Sequence, residues 1–332
     1  MSRQLNDIRI VFMGTPEFAV ASLDALVKAG AQVVGVVTAP DKPAGRGMKL
    51  TESAVKKYAV EHGLPVLQPV KLKDAEFQEA LRALRADLQV VVAFRMLPEA
   101  VWNMPPMGTL NVHGSLLPQY RGAAPINWAV INGEKVTGVT TFKLQQEIDT
   151  GHILLQDSFP IGDDDNAGIV HDYMKEVGAK LLVKTLEGLA AGTIDEKPQE
   201  AIIAGTADAG VSGAVATATN AGAQAVELKH APKIFTETAK IDWNKSVYEI
   251  HNLIRGLSPY PGAFTYLQDK TLKIFRSAKE ITPPSIPVGT ADTNGKTYLK
   301  FACPDGYIHV LDLQLEGKKR MLIDDFLRGF RF

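Results

Sequence analysis

The sequence predicts an α/β fold in which a doubly wound, mostly parallel sheet domain precedes a small β-barrel. Three observations lead to this prediction. Apolar, strand-like runs alternate with segments of helical periodicity through the N-terminal part of the chain. A stretch dominated by Ala, Gly and Thr then begins at residue 201. Short strand-like segments separated by turn residues follow it, with the spacing of a small barrel.

The N-terminal elements follow from apolar patterning and from residues that begin or end helices. Residues 8–14 predict a buried strand, Thr15 can cap the next helix with Pro16 at its first position, and Gly30 fits just past its end. The other strands are predicted over 32–38, at Val66, over 89–94 and over 109–113, and the other helices over 55–61, 75–86 and 125–132. The uninterrupted apolar run at 89–94 is typical of a parallel sheet.

The Ala/Gly/Thr-rich stretch marks the predicted domain boundary. Between 201 and 226 Asp208 is the only charged residue, and this composition favours a flexible linker because it buries little surface. We therefore expect a first domain over 1–200, a linker over 201–227 and a second domain over 228–332. In the second domain helices are predicted over 246–255 and 323–328, and strands over 264–267, 272–275, 298–301 and 308–315.

Composition narrows the class of protein. A chain of 332 residues with 45% hydrophobic and 22% charged residues is typical of a two-domain globular protein. The N-terminus has no signal-peptide pattern and no apolar run reaches membrane-spanning length, so we expect a cytoplasmic protein that does not bind a membrane. Cys303 is the only cysteine, which excludes an intrachain disulfide and a cysteine cluster for zinc. No His/Asp spacing indicates a metal site either.

Charge is unevenly distributed along the chain. Residues 228–332 hold sixteen Lys and Arg against eleven Asp and Glu, a net charge of +5, whereas the remainder carries −6. A basic C-terminal part on an acidic body could bind a polyanion on one side. Ordinary variation of charge along a sequence is the alternative interpretation.

The segment around His113 carries the strongest chemical signal. Asn111 and His113 are two residues apart on a predicted strand, so both side chains lie on one face at the strand end, where active sites of open α/β sheets occur. Asp149, which precedes Thr-Gly, could add a carboxylate. An amide donor, an imidazole and a carboxylate suit the transfer of an acyl group to an amine. A buried core histidine and a turn aspartate are the structural alternatives.

Two glycine-rich segments do not match nucleotide-binding motifs. The first strand is not followed by G-x-G-x-x-G, and residues 41–49 lack the phosphate-loop spacing. The segment 41–49 instead predicts a basic loop with Lys42, Arg46 and Lys49. This loop could bind phosphates, and a solvated surface loop is the alternative interpretation.

Motifs along nearly the whole chain resemble those of the 10-formyltetrahydrofolate-dependent formyltransferases, and within them the branch that acts on methionyl-tRNA. The superfamily pattern is carried by Asn-Val-His-Gly-Ser-Leu-Leu-Pro at 111–118, Arg-Gly-Ala-Ala-Pro-Ile at 121–126 and Asp-Thr-Gly at 149–151. The branch is indicated by further motifs at 14–19, 40–47, 231–234, 241–243, 259–263 and 317–321.

The resemblance implies a Rossmann-like formyltransferase domain, a linker and an OB-like, tRNA-binding barrel. It implies transfer of the formyl group of 10-formyltetrahydrofolate, a co-substrate, to the α-amine of methionyl-initiator tRNA, without a metal. Its site residues would be catalytic Asn111, His113 and Asp149, folate-bordering Ser115, Leu116, Leu117 and Pro118, and tRNA-binding Lys42, Arg46, Lys49, Lys318, Lys319 and Arg320. We expect the protein to be a monomer.

We expect Asn111 and a protonated His113 to donate to the oxyanion, while Asp149 holds His113 in its charged form and helps move a proton from the attacking amine to the leaving N10. One segment departs from the family pattern, because 94–98 is one residue shorter and puts Arg95 near the place of a glycine that should line the pterin pocket.

Three other functions remain open on the sequence alone. A formyltransferase for a small amine, such as an amino-sugar nucleotide, would share the catalytic core but would not need a basic loop or barrel. A formyltetrahydrofolate hydrolase would release formate, and a folate- or RNA-binding module would not need the three catalytic residues.

Overall fold

The computed structural model describes residues 3–44, 49–204, 211–213 and 227–331. Its strands, numbered in chain order, are β1 (Arg9–Gly14), β2 (Gln32–Val37), β3 (Lys42–Ala44), β4 (Lys49–Thr51), β5 (Val66–Leu67), β6 (Leu88–Val92), β7 (Thr109–His113), β8 (Arg121–Gly122), β9 (Val136–Lys143), β10 (Ile153–Pro160), β11 (Val211–Gly213), β12 (His230–Ala231), β13 (Ala263–Leu267), β14 (Lys270–Glu280), β15 (Ala291–Thr293), β16 (Leu299–Cys303), β17 (Gly306–Leu315) and β18 (Met321–Leu322). Its helices are α1 (Glu17–Lys28), α2 (Ala54–Glu61), α3 (Ala75–Ala83), α4 (Glu99–Trp102), α5 (Pro125–Ile131), α6 (Ala167–Ala191), α7 (Gln199–Ile203), α8 (Thr236–Ala239), α9 (Val247–Gly256) and α10 (Ile323–Gly329).

The chain forms two compact units. The first contains residues 1–121, 138–159 and 172–229, and the second contains 122–137, 160–171 and 230–332. The segments 122–137 and 160–171 thus group with the C-terminal part of the chain. The division into 1–200, 201–227 and 228–332 stays a prediction. Most of the expected linker, residues 205–210 and 214–226, lies outside the described residues, and between these gaps β11 pairs in parallel with β10.

The first unit is built on a sheet with the order β11-β10-β9-β7-β6-β1-β2-β5. From β5 to β7 neighbouring strands are parallel, while β9 runs antiparallel to β7. All five residues of β6 are buried, as expected of a central parallel strand covered on both faces. The predicted Rossmann-like, mostly parallel sheet is therefore confirmed, with β7 in its interior.

Several helix ends differ from the predictions by one to three residues, most clearly the start of α1 and the end of α3. Helix α1 begins at Glu17 because Pro16 has an extended backbone and is the N-cap, so the assignment of Thr15 as cap and Pro16 as first helical residue was wrong by one position. Helix α3 ends at Ala83, before the predicted residue 86, because Arg85 adopts a left-handed φ of +48°. The Arg9 side chain donates to the carbonyls of Leu84 and Arg85, at 2.7 and 3.1 Å, and so satisfies groups at this helix end.

Strands β9 and β10 and the long helix α6 were not predicted. β9 has the sequence VTGVTTFK, whose buried threonines break the apolar pattern that identified the other strands. Thr140 and Thr141 are fully buried there because their hydroxyls are hydrogen-bonded inside the protein. The Asp149 loop is the connection between these two strands.

The second unit contains an antiparallel half-barrel sheet in the order β13-β14-β17-β16-β15, with β18 paired to β17. Its predicted strands and helices are confirmed, and α9 begins with a capping box in which Ser246 and Glu249 bond each other's backbone amides. The core lies between the sheet, α9 and α10, where Trp243 stacks on Phe301 at 4.6 Å.

In the described part of the chain no helix is both long and apolar enough to span a bilayer.

Candidate active site

The carboxyl end of β7 brings Asn111 and His113 to one face of the sheet. Asn111 lies opposite Val91 of β6 and Phe142 of β9, and His113 lies opposite Thr140. His113 is buried, 6% exposed, and meets the Phe142 ring edge to face at 6.3 Å. Asn111 is partly exposed, so its amide is accessible where the strand opens into a loop.

The two ring nitrogens of His113 have different partners. Nε2 lies 2.9 Å from the carbonyl oxygen of Tyr120, and Nδ1 lies 3.8 Å from Oδ2 of Asp149. A carbonyl can only accept, so Nε2 carries a proton and donates it to Tyr120. Nδ1 is therefore the nitrogen that faces the Asp149 carboxylate. At 3.8 Å the pair is beyond the range of a direct hydrogen bond.

Three non-glycine residues around this strand end have left-handed backbones. Tyr120 has a φ of +59°, Asp149 a φ of +56°, and Ala93, which directly follows β6, a φ of +47°. Such conformations cost about 1–3 kcal/mol each and are typical of functional sites that the surrounding structure holds in place. Two of the three residues are the partners of the His113 ring.

The segment 115–118, predicted to border the folate, forms a tightly held turn. Ser115 donates from Oγ to the carbonyl of Gln119 at 2.6 Å, and Leu117 is 1% exposed. The backbone of Leu117 is bonded on both sides, since its N–H donates to Thr140 Oγ1 and its carbonyl accepts from Gln156 Nε2. Pro118 is buried and Leu116 is partly exposed. Within this segment Leu116 therefore offers the accessible side chain.

Arg95, which lies near the place of the expected glycine, is held by backbone carbonyls. Its guanidinium donates to the carbonyl of Val70 at 2.8 Å and to that of Pro69, and it lies 5.6 Å from the Phe94 ring. Burial lowers the pKa of Arg95 from its ordinary value. These contacts tie the segment after β6 to the segment after β5.

The basic segment 41–49 is a hairpin of β3 and β4. Lys42 is exposed on β3, Lys49 lies on β4, and Arg46 lies outside the described residues. Asp41 fixes the base of the hairpin, because its carboxylate bonds Lys56 Nζ at 2.5 Å and Gln68 Nε2 at 2.8 Å.

The basic residues after β17 have unequal surroundings. Lys318 and Lys319 are exposed in the turn that follows Gly317. Arg320 instead donates to both carboxylate oxygens of Asp312, at 2.6 to 3.1 Å, and its guanidinium stacks 4.2 Å from the Phe275 ring. The Asp312 hydrogen bonds raise the pKa of Arg320. The geometry assigns Arg320 a structural contact, whereas Lys318 and Lys319 are available to a ligand.

Two groups at the site were missed by sequence reasoning. The Tyr120 carbonyl is a backbone group and has no residue signature. Gln199 is fully buried and contacts the Asp149 loop from fifty positions away along the chain, and no spacing rule connects the two.

The chain matches the formyl transferase family model over residues 8–186 and the formyl transferase C-terminal domain over 233–331. It is 54% identical to the methionyl-tRNA formyltransferase of Bacteroides thetaiotaomicron, covering 98% of this chain and 96% of that protein. The enzyme of the same name from Flavobacterium johnsoniae is 46% identical, with 99% and 98% covered.

Among solved structures, the fold is similar to that of an N-formyltransferase from Helicobacter canadensis in complex with folinic acid and dTDP-3-aminofucose. The TM-score is 0.64 at 21% identity, with 91% of this chain and 98% of that chain covered. Sequence, fold and the His113–Asp149 strand end agree: the chain belongs to the methionyl-tRNA formyltransferase family.

Proposed function

We propose that this protein transfers the formyl group of 10-formyltetrahydrofolate to the α-amino group of methionyl-initiator tRNA. The observation that carries the proposal is the His113–Asp149 pair at the end of β7, with the Asn111 amide on the same face of the strand. The names of the relatives that are about half identical over nearly their whole length support the choice of donor and acceptor.

The reaction begins when the neutral amine attacks the formyl carbon. A carbon–nitrogen bond forms, and the carbonyl electron pair moves to oxygen, which becomes an oxyanion. The Asn111 amide and a protonated Nδ1 of His113 would donate hydrogen bonds to it, because Nε2 already donates to Tyr120. Donors fixed in a buried site stabilise such charge without reorganising during the reaction.

Asp149 would help to transfer a proton from the attacking amine to N10 of the folate. The attacking nitrogen becomes positively charged and must lose a proton, while N10 of the folate must gain one before the old carbon–nitrogen bond breaks. A water or the substrate nitrogen lying beside this pair could bond both groups and carry the proton. The products are the formylated amine and tetrahydrofolate, and no step requires a metal.

The residues proposed to bind the acceptor are basic, and Lys42, Lys318 and Lys319 among them are exposed. Lys42 on the hairpin would reach the acceptor end of the tRNA, together with Lys49 and Arg46, and Lys318 and Lys319 would contact its phosphates. Lysine contacts to phosphates give binding that weakens with salt. We further propose that the protein acts in the cytoplasm as a monomer.

The test is an assay with 10-formyltetrahydrofolate and methionyl-initiator tRNA. Parallel reactions contain an amino-sugar nucleotide or no acceptor. We expect formyl-methionyl-tRNA to accumulate only with the tRNA. Formylation of the sugar nucleotide alone would contradict the proposed acceptor, and formate release at an equal rate without an acceptor would indicate a hydrolase.

A further inference from the structure

Gln199, at the start of α7, saturates its side-chain amide with four hydrogen bonds beside the proposed catalytic loop. Nε2 donates to the carbonyls of Asp149 and Gly151, each at 2.8 Å. Oε1 accepts from Nε and Nη2 of Arg121, at 3.0 and 2.6 Å. An amide nitrogen has two N–H groups and its oxygen two lone pairs, so every bonding position is used and the orientation of the amide is fixed.

The loop that Gln199 contacts has little conformational freedom of its own. Asp149 has a left-handed φ of +56°, and a Cβ added at Gly151 would lie 1.6 Å from the carbonyl oxygen of Lys143. Turns with positive φ at a non-glycine residue are unfavourable by themselves. Gln199 helps to hold this one by bonding the carbonyls of Asp149 and Gly151, alongside the bond from Thr150 Oγ1 to the carbonyl of Glu147.

The chain before Gln199 is aligned with the same loop. Ile153 and Lys197 exchange both backbone hydrogen bonds at 2.9 Å, which sets the position of residue 199 relative to the start of β10. Glu196 pairs with Lys143 and lies 3.4 Å from Nδ1 of His152. Burial acts to raise the pKa of Glu196, but the hydrogen bonds and charges of Lys143 and His152 together outweigh burial and lower that pKa.

We propose that Gln199 is a positioning residue for the formyl transfer, which it supports by holding the backbone of Asp149 so that the carboxylate faces Nδ1 of His113. The inference rests on the proposed function. Gln199 itself is separated from the reacting atoms by the loop backbone, and Arg121 keeps its amide from rotating. Misplacement of a reacting group by about 1 Å can cost on the order of 10²-fold in rate.

The decisive variant is Gln199→Glu. A carboxylate still accepts from Arg121, but it has no N–H for the carbonyls of Asp149 and Gly151 and repels them instead. We expect kcat to fall about 10- to 100-fold, as a displaced catalytic group would produce. The KM values for folate and tRNA should stay within about threefold, because the substrate-contacting residues are unchanged. Gln78→Glu, at a partly buried glutamine that donates to the carbonyl of Leu72, is the matched control and should behave as wild type.

Two further readouts separate positioning from a general structural role. Amide hydrogen exchange in a peptide covering 144–152 should be faster in Gln199→Glu than in wild type, with exchange in β6 unchanged. In an Asp149→Asn background, Gln199→Glu should lower kcat no further, because its effect passes through Asp149. An undiminished loss in that background, or wild-type kcat or exchange in the single variant, would overturn the inference.

The exchange measurement needs no substrate. If the wild-type protein formylates no tRNA, the proposed function fails, while faster exchange in 144–152 still supports the contact between Gln199 and the loop. If the wild type is active and Gln199→Glu matches it, only the positioning role fails.

Discussion

His113 is oriented by a backbone group rather than by a carboxylate. The Tyr120 carbonyl accepts from Nε2 at 2.9 Å, so the ring cannot rotate without losing a buried hydrogen bond. The carbonyl that fixes the imidazole thus belongs to the turn after β7. Tyr120 itself adopts an unfavourable left-handed backbone there. Nδ1 thereby faces Asp149, as the proposed mechanism requires.

Removing either member of the pair should affect turnover more than binding. We expect His113→Ala and Asp149→Asn each to lower kcat about 10²- to 10³-fold, the usual effect of losing one donor or proton-transfer group. Steady-state kinetics with methionyl-tRNA, combined with a folate binding measurement, would test this. Asp163→Asn, at an exposed carboxylate paired with Lys135, is the control. Near-normal turnover in either variant would contradict the proposed mechanism.

The guanidinium groups of Arg95 and Arg320 both make contacts within the protein. Arg95 bonds two backbone carbonyls, and Arg320 bonds Asp312 and stacks on Phe275. A planar guanidinium with five donors can serve such structural contacts as readily as it binds phosphate. A lysine offers a point charge on a flexible stem, which is why exposed Lys42, Lys318 and Lys319 remain the stronger proposals for tRNA.

At the scale of elements, the β9–β10 connection determines where Asp149 lies. Its ends are strands of the sheet, and its middle is bonded by Gln199. At Gly151 the backbone passes so close to Lys143 that no side chain fits. The Asp-Thr-Gly motif thus has a steric requirement at its last position, Gly151, beside the proposed catalytic carboxylate at its first.

Gly151→Ala should deform this connection. The added methyl collides with backbone rather than with a flexible side chain, so we expect the free energy of unfolding to drop by about 1–3 kcal/mol, as overpacking does. We also expect kcat to fall, since the loop must move to relieve the clash. Gly329→Ala, where nothing lies within 4 Å of the added atom, should change neither urea unfolding nor kcat. An active, fully stable Gly151→Ala would refute the steric argument.

The β3–β4 hairpin predicts a salt-dependent contribution to tRNA binding. Lys42→Ala should raise the KM for tRNA more than the KM for folate. The logarithm of the tRNA association constant should also fall less steeply with the logarithm of the salt concentration. The slope should decrease by roughly 0.7–0.9, which corresponds to the loss of one phosphate contact. Binding titrations across a range of salt would measure this. Lys184→Ala, on the exposed side of α6, is the charge-matched control. An unchanged slope in Lys42→Ala would contradict a contact between the hairpin and the tRNA.

At the scale of the molecule, each unit has its own stabilising core, and the second also buries a polar cluster. His251 is 4% exposed and bonds Ser277 Oγ at 3.0 Å, while Arg255 bonds the carbonyls of Gly162 and Asp165. Burial, together with the nearby Lys279 and Arg255 charges, lowers the pKa of His251 to about 4, although Asp163 and Asp164 act in the opposite direction. The folded protein therefore holds this ring neutral.

Acid should destabilise the fold through His251. Between pH 6.5 and about 4 the unfolded chain binds a proton at this ring that the folded chain does not, so stability is lost as the pH falls through this window. The contribution is at most about 1.4 kcal/mol per pH unit. Urea unfolding at pH 7 and pH 5 should show a smaller difference for His251→Gln than for wild type, whereas exposed His62→Gln should keep the full difference. Equal pH dependence in all three proteins would contradict this.

Local patterns were sufficient for much of this fold. The β7 boundaries at Thr109 and His113, the parallel strands before it, and α9 with its Ser246 cap follow from periodicity and capping, which act over a few residues. Strands β9 and β10 and helix α6 were not predictable in the same way, because the buried threonines of β9 are satisfied by partners distant in sequence.

The sequence by itself determined the class of chemistry and the family. Asn111, His113 and Asp149 with their motifs indicated formyl transfer, because residue types and their short spacings can be read from the sequence without a structure. Only the tertiary structure decided which nitrogen of His113 faces Asp149, that Arg320 is held by Asp312, and that Gln199 supports the loop. These facts depend on hydrogen bonds to backbone carbonyls and on contacts across tens of residues, and neither leaves a local signature.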